Sequence, residues 1–286
     1  MTSGAVPVHV VVVAYGSLDL LAQCLEGLDG AYPSTMVDNA SESEAREMAE
    51  FLGASYIDPQ SNLGFAAGVN RAITCLPLPE CDVLLLNPDA VIRPPAIHRL
   101  QEILHSSPNL ACVAPAQHSP GGSRPQLVLR PFPTPLGAWI EATGLGSLRR
   151  RHFVVGSVLL LRGSALVDVG GLDERYFLFA EETDWQHRAI RRGWSIRYCP
   201  DVVAVHTMGG TDDNMLRRIL RLHSGAERYI RKWYGPVGWS VYRAATILGS
   251  LARAAVRTGE RRRFAAQQAW IYLRGPDRAA QRAGVV

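Results

Sequence analysis

The sequence predicts an α/β protein built on a mostly parallel central sheet flanked by helices, followed by a helical extension. Three observations carry this. Short apolar, β-branched runs recur through the first ~110 residues and alternate with segments of helical spacing, the pattern of a doubly wound sheet. Several of these runs end abruptly in polar residues, as buried parallel strands do where they reach a ligand crevice. Beyond Leu216 strand signals cease and arginine-rich helical spacing takes over.

Taken in order, Val8–Ala14 reads as a first strand, and Leu18–Leu28 as a helix with Asp19 favourably placed in its first turn. Thr35–Val37 is a short strand leading into Asp38. Ser41 with Glu44 three residues on is a capping-box signal for a helix to Leu52. Ser55–Ile57 is a third strand. The small-residue segment Asn62–Asn70 opens a helix to about Cys75, Val83–Leu86 is a buried strand stopped by Pro88, and Pro95–Leu104 is a helix. From Ala116 to Arg151 proline and glycine are frequent, and the stretch reads as a long loop with at most one short helix. Val154–Leu161 reads as one strand and Ser164–Val169 as a short helix. Glu181–Arg192 is a helix closed by Gly193, Ser195–Tyr198 and Val202–Val205 are strands, and Leu216–Tyr234 is a helix closed by Gly235-Pro236. Ser240–Thr258 and Phe264–Leu273 complete a helical tail. The expected organisation is residues 1–115 and 116–235 as two halves of one domain, with 236–286 as a basic extension.

Composition narrows the function classes. The chain of 286 residues is 47% hydrophobic and 20% charged, ordinary for a globular protein, with a net charge of +4. Its five cysteines are scattered without a C-x-x-C pair, so neither a zinc site nor a redox motif is signalled, and reduced, mostly buried thiols in a cytoplasmic protein are expected. The apolar stretch around Val237–Ala255 is interrupted by Arg243 and Arg253, so no membrane span is expected. The first strand is followed by Ala14-Tyr15-Gly16-Ser17, not G-x-G-x-x-G, and no Walker loop occurs; both absences count against nicotinamide enzymes and P-loop NTPases.

The chemistry-bearing residues lie at strand and helix ends. Asp89 follows Leu85-Leu86-Asn87-Pro88, and His206 ends Val202–Val205, so an acid and an imidazole both sit at C-terminal ends of apolar strands. A hard divalent cation accepts such oxygen donors, and an imidazole in the shell suits Mn²⁺ better than Mg²⁺. Glu181-Glu182-Thr183-Asp184 opens a helix, where negative charge is favoured. A partly buried carboxylate there has the chemistry of a general base, while Asp184 also has Arg188 four residues on as a plain ion-pair partner. Asp38 is either a turn residue or an acceptor for the imide N–H of a pyrimidine base. Gly64, Gly68 and Asn70 allow close approach to a ribose or diphosphate, or serve only helix–sheet packing.

In their order and spacing these segments resemble the inverting family 2 glycosyltransferases of the GT-A fold, nearest to bacterial rhamnosyltransferase-like members. The resemblance covers roughly residues 8 to 235: Val10–Tyr15, Val37–Ser41, Asn62–Asn70, Leu85–Asp89, Gly156-Ser157, Gly170–Glu174, Glu181–Arg188 and His206. It implies that Ala14, Tyr15, Asp38, Asn62, Gly64, Asn70 and Asn87 line the donor. It places Asp89 and His206 on a divalent metal (Mn²⁺ or Mg²⁺), Glu182 or Glu181 at the general base, and Gly156, Asp173 and Asp184 on the acceptor side. Two departures stand out. The D-x-D element reads Asn87-Pro88-Asp89, and the usual Glu-Asp pair is Glu181-Glu182. The implied donor is a UDP- or dTDP-sugar, such as dTDP-rhamnose, and the acceptor a hydroxyl on a lipid-linked glycan or small molecule. The basic tail then reads as a helical cap, a homodimer contact, or a peripheral contact with the inner face of the plasma membrane. A sugar-phosphate nucleotidyltransferase lacks support, because Gly16–Leu20 carries no cation. A non-catalytic nucleotide-sugar or nucleic-acid binder is the remaining alternative, with nucleic acid disfavoured by the scarcity of aromatics late in the tail.

Overall fold

A computed structural model describes residues 6–122, 125–146, 152–207 and 214–285. The chain packs as two compact units: Met1–Arg130, Phe153–Arg175 and Glu181–Asp213 form the first, and Pro131–His152, Tyr176–Ala180 and Asn214–Val286 the second.

In the first unit, strands β1 (Val8–Ala14), β2 (Ser34–Asp38), β3 (Ser55–Ile57) and β4 (Asp82–Leu86) alternate with helices α1 (Leu18–Glu26), α2 (Ser43–Phe51) and α3 (Phe65–Ile73). There follow β5 (Ala90–Val91), α4 (Pro94–His105), β6 (Leu110–His118), β7 (Leu129–Pro131), the second unit's α5 (Pro135–Ala142), and β8 (His152–Val154). The unit closes with β9 (Val158–Leu161), α6 (Gly163–Val169), α7 (Glu181–Arg191) and β10 (Ser195–His206). Eight strands form one sheet in the order β3-β2-β1-β4-β9-β6-β10-β5, while β7 and β8 pair separately. The pairs β3-β2, β2-β1, β1-β4 and β6-β10 are parallel; β9 and the edge strand β5 run antiparallel to their neighbours.

This is a GT-A-like sheet with helices on both faces, and β1 shows how the sequence builds it. Val8, Val10 and Val12 join a core with Leu21 and Leu25 of α1 and Ile97, Leu100 and Leu104 of α4. Val11 and Val13 join the opposite core with Val69 of α3, Leu166 of α6 and Trp185 of α7. The period of two thus feeds two layers at once. Leu84, Leu85 and Leu86 are fully buried, so truncating any one costs about 2–5 kcal/mol.

Several local expectations are corrected. Ser41 does not cap α2; it adopts φ 57° and its hydroxyl donates to Asp58. The N–H groups at this helix entrance are taken instead by Asp38, whose carboxylate accepts from Ala40 (2.9 Å) and Glu42 (2.8 Å). The expected strand Val154–Leu161 is interrupted at Val155-Gly156-Ser157, leaving β8 and β9. The two strands expected across 195–205 are one, β10, with a register shift between Cys199 and Val203 where Pro115 of β6 lies opposite. Proline has no N–H for the ladder, and the irregularity accommodates it. The expected loop from Ala116 also begins too early, because β6 continues to His118. Part of that loop, 123–124 and 147–151, lies outside the described residues.

In the second unit α5 is capped by Thr134, whose hydroxyl accepts from the Gly137 N–H at 2.8 Å. Helix α8 (Met215–Val256) is broken at Gly235, φ 65°, with Pro236 following, where the Gly-Pro pair signals a stop. Helices α9 (Gly259–Arg274) and α10 (Pro276–Arg282) follow. Trp239 and Tyr272 are buried with Tyr242, ring centroids 5.9–6.2 Å apart. Among the described residues no helix is long and apolar enough to cross a membrane.

Candidate active site

Asp89 and His206 meet, as their strand-end positions imply. Thr207 N–H donates to the Asp89 carbonyl at 2.9 Å, and His206 Nε2 lies 3.2 Å from Asp89 Oδ1, both side chains being buried. No local sequence pattern marks the residue that orients the imidazole. Gln126 donates its amide to the His206 carbonyl at 2.5 Å, so its Oε1, 3.0 Å from His206 Nδ1, is an acceptor and fixes the proton on Nδ1. Nε2 is then a lone pair facing a carboxylate oxygen. Two acceptors at 3.2 Å repel unless a proton or cation lies between them, so this pair fits a divalent metal. No cluster of three or more His, Cys, Asp or Glu side chains occurs among the described residues. Asp89 and His206 would thus be the only such side chains to hold an ion there, and other oxygen donors would have to complete its shell.

Glu181 and Glu182 are brought to the N-terminus of α7. Glu181 is buried (4% exposed), and its burial, reinforced by the charge of Glu182, raises its pKa well above the ordinary carboxylate value. Glu182 is also raised by burial, but the N–H groups of Glu182, Thr183 and Gly156 and the charge of Arg130 oppose the rise. Both carboxyls are therefore pushed toward the acid form, Glu182 against the opposition of its N–H groups and Arg130. Oε2 of each is buried without a hydrogen-bond partner. Gly156 stands close against the base candidate: a Cβ there would lie 3.1 Å from Glu182 Cβ, a contact that the side chain must give way to. Just before this helix Phe179 and Ala180 adopt φ 72° and 77°, left-handed conformations costing about 1–3 kcal/mol each.

The other acceptor-side residues carry structural contacts. Asp184 is fully buried and accepts from Arg188 Nε at 3.0 Å, while that guanidinium also donates to the Val169 and Gly171 carbonyls. Asp173 is held by Arg175 in a two-pronged ion pair.

On the donor side Asp38 is buried (1% exposed) and also accepts from the Tyr56 hydroxyl at 2.9 Å. Ala14 is buried beside it in register, and Tyr15 is 46% exposed. Asn62 accepts from Gly64 N–H at 3.0 Å, forming the turn into α3. Asn39, which sequence reading passed over, donates to the Gly64 carbonyl at 3.1 Å and so ties the end of β2 to that turn. Asn70 is committed to a bridge: its amide donates to the Leu172 carbonyl and Glu174 and accepts from Leu172 N–H. Asn87 donates its backbone N–H to Ser157, leaving its side-chain amide without a protein partner among the described residues.

One further residue emerges only from the fold. Gln117 lies beside Ala204 in the parallel register, hence on the same sheet face as His206. Ser157 donates to its Oε1 at 2.7 Å, and its Nε2 is buried with no acceptor. A buried donor left open on the sheet face that carries His206 is an unmet hydrogen bond of the kind a bound oxygen satisfies.

This fold and constellation are those of a sugar-nucleotide transferase. The sequence profile "Glycosyltransferase like family 2" matches residues 5–223, and the chain belongs to that family of inverting nucleotide-sugar glycosyltransferases. It is 28% identical over 207 residues to the low-salt glycan biosynthesis hexosyltransferase Agl10 of Haloferax volcanii, a match covering 69% of this chain and 66% of that protein. It is also 28% identical over 271 residues to the N-acetylglucosaminyl-diphospho-decaprenol L-rhamnosyltransferase of Mycobacterium tuberculosis, covering 80% and 86%. Among solved structures, the mannosyltransferase PcManGT of Pyrobaculum calidifontis, in complex with GDP-Man and Mn²⁺, superposes with a TM-score of 0.55 at 16% identity. That superposition covers 97% of this chain and 84% of the other. Glucosyl-3-phosphoglycerate synthase of Mycobacterium tuberculosis gives 0.54 at 13%, covering 84% and 79%.

Proposed function

We propose that this chain transfers a sugar from a uridine or thymidine diphosphate sugar, with dTDP-rhamnose the leading candidate, to a hydroxyl of a lipid-linked glycan. The activity of the mycobacterial relative supports both the sugar and the acceptor class. A small-molecule hydroxyl acceptor fits the same chemistry. The observation that carries the reading is the Glu182 carboxylate: N–H groups face it, while its buried Oε2 has no partner and a lone pair to offer.

Glu182 takes the proton of the acceptor hydroxyl as that oxygen forms its bond to C1 of the donor sugar. The bond from C1 to the diphosphate oxygen breaks on the opposite face, so the anomeric centre inverts. Burial and the Glu182 charge make Glu181 hold its proton more tightly, which leaves Glu182 as the one of the pair that ionises more readily. Asp89 and His206 would hold a divalent cation, Mn²⁺ or Mg²⁺, which would supply positive charge to stabilise the departing diphosphate. Gln117 and Asn87 offer amide N–H donors on the same side. Asp38 keeps acceptor capacity for the imide N–H of the base, since a carboxylate has about four lone-pair sites and three are taken.

Calorimetric titration with UDP, dTDP and GDP, each with Mn²⁺ and then with EDTA, tests this. UDP or dTDP binds only with the metal, and GDP stays silent. Failure of all three to bind folded protein with metal present would remove the roles given to Asp38 and Asp89.

A further inference from the structure

Charge is divided unevenly along this chain. Residues 214–286 carry 15 basic and 3 acidic side chains, a net +12, whereas residues 1–213 carry 15 and 23, a net −8. Within the second unit part of that excess converges on a cleft of about 320 Å³ between α8 and α9. This is the size at which small-ligand sites begin, ~300 Å³. Arg253, Arg257 and Arg261 line it, with Ile219 and Phe264 as apolar wall and His223 beside them.

No carboxylate lines the cleft. Arg253 donates to Ser250 and Gln268, both neutral, and its pKa is lowered by burial and by the charge of Arg257, with the more distant Glu141 carboxylate opposing the shift. The guanidinium groups of Arg257 and Arg261 have no hydrogen-bond or ion-pair partner among the described residues, and the acid of that turn, Glu260, is exposed and does not line the cleft. Burial lowers the pKa of His223 to about 4, so it is neutral and the cleft's charge comes from guanidinium groups alone. Phe264 is 52% exposed, and Leu248, Leu251 and Val256 on the same stretch of α8 are also exposed. Convergent guanidinium groups in a lining that holds no carboxylate, set against apolar wall, match a phosphate group attached to a hydrocarbon chain. A nucleic-acid strand fits less well, because successive bases need a run of stacking aromatics and Phe264 is the one Phe, Tyr or Trp that lines the cleft.

We propose that the cleft formed by Arg253, Arg257, Arg261 and Phe264 seats the phosphate headgroup of an anionic membrane lipid, docking the enzyme at the bilayer surface. This deepens the reading of a lipid-linked acceptor, since such an acceptor is presented at that surface.

Flotation with lipid vesicles tests it without any transfer reaction. The wild-type chain binds vesicles of phosphatidylcholine with phosphatidylglycerol and not those of phosphatidylcholine alone. The double variant Arg257→Gln with Arg261→Gln loses about thirtyfold in affinity, a fivefold step per cation near the surface. The variant Arg278→Gln with Arg282→Gln removes the same charge from exposed positions outside the cleft and loses less than threefold. Inorganic diphosphate competes with the vesicles for wild type only. Equal losses in the two double variants would mean that net charge alone drives binding, and would overturn the site. Binding of inorganic diphosphate without vesicle binding would reassign the cleft to a soluble phosphate and overturn the membrane role. Transfer to a soluble hydroxyl acceptor stays at the wild-type rate in both variants. Loss of the glycosyltransferase reading and loss of the lipid site are therefore separate results.

Discussion

The two ends of the central sheet both bury acids, and they treat them oppositely. At the N-terminal end of β4, Asp82 is 1% exposed; His105 Nε2 meets one oxygen at 2.6 Å and the Gly163 N–H meets the other at 3.0 Å. At the C-terminal end, Glu181 and Glu182 each keep a buried oxygen without a partner, and Gln117 keeps a buried N–H. Folding satisfies polar groups wherever nothing else is asked of them. The deficit at one end therefore marks where a ligand completes the hydrogen bonding, and the surplus at the other marks what holds the sheet together.

The largest effect that breaks or upholds this contrast is a pair of charge-neutralising substitutions. Glu182→Gln is expected to lower kcat by roughly 10²–10⁴-fold while leaving nucleoside diphosphate binding and Tm near wild type. Asp82→Asn should do the reverse, costing about 1–3 kcal/mol of stability through the lost His105 contact and lowering Tm with kcat unchanged. Measuring kcat and Tm on both variants decides it. If Asp82→Asn cost activity at constant Tm, the division of labour between the two ends would be wrong.

Glycines sharpen the same comparison at a smaller scale. A Cβ on Gly163 would sit 2.1 Å from the Cys81 carbonyl oxygen and 2.6 Å from that of Pro79, both backbone, so nothing can yield cheaply. Gly163→Ala is expected to cost ~3 kcal/mol or more, read as a lowered Tm or lost soluble expression. On Gly156 the Cβ would meet Glu182 Cβ at 3.1 Å, a side chain able to give by a few tenths of an ångström. Gly156→Ala should therefore fold well and lower kcat about tenfold by displacing the base. Equal loss of stability in both would sink the distinction.

The sequence exposed the acids more readily than the amides. Asp89, His206 and Glu182 stand out because each ends an apolar run or opens an amphipathic helix, and that position is what a ligand crevice needs. Gln117 and Gln126 lie in stretches without periodicity, β6 being rich in alanine and the loop after it in proline and glycine. Their roles arise from register and long-range contacts across 40 and 80 residues, which local pattern cannot encode. Strand β6 itself was hidden by Pro115, whose compensation lies in the irregularity of β10. Asn70 shows the converse. Its place near a glycine-rich turn suggested a ligand contact, but the fold spends its amide on Leu172 and Glu174.

The smallest effect separates the two neighbouring glutamates. Burial and the Glu182 charge raise the pKa of Glu181 above its ordinary 4.5, so the folded state holds that proton more tightly than the unfolded chain does. Stability from this source is fully present below the unfolded pKa and is lost as pH rises through the folded one. Glu181→Gln fixes the neutral form, so its Tm should equal that of wild type in acid and exceed it increasingly above pH 4.5, a difference of a few degrees in a thermal scan against pH. Glu182→Gln removes a raised carboxylate too, but one that three N–H groups and Arg130 stabilise as the anion, so its gain should be smaller. For activity the order inverts, because Glu182 must ionise to accept a proton: kcat rises with pH through a pKa above the ordinary glutamate range, and Glu181→Gln retains that limb. A pH–rate profile whose ascending limb vanished in Glu181→Gln while persisting in Glu182→Gln would exchange the two roles and make Glu181 the base.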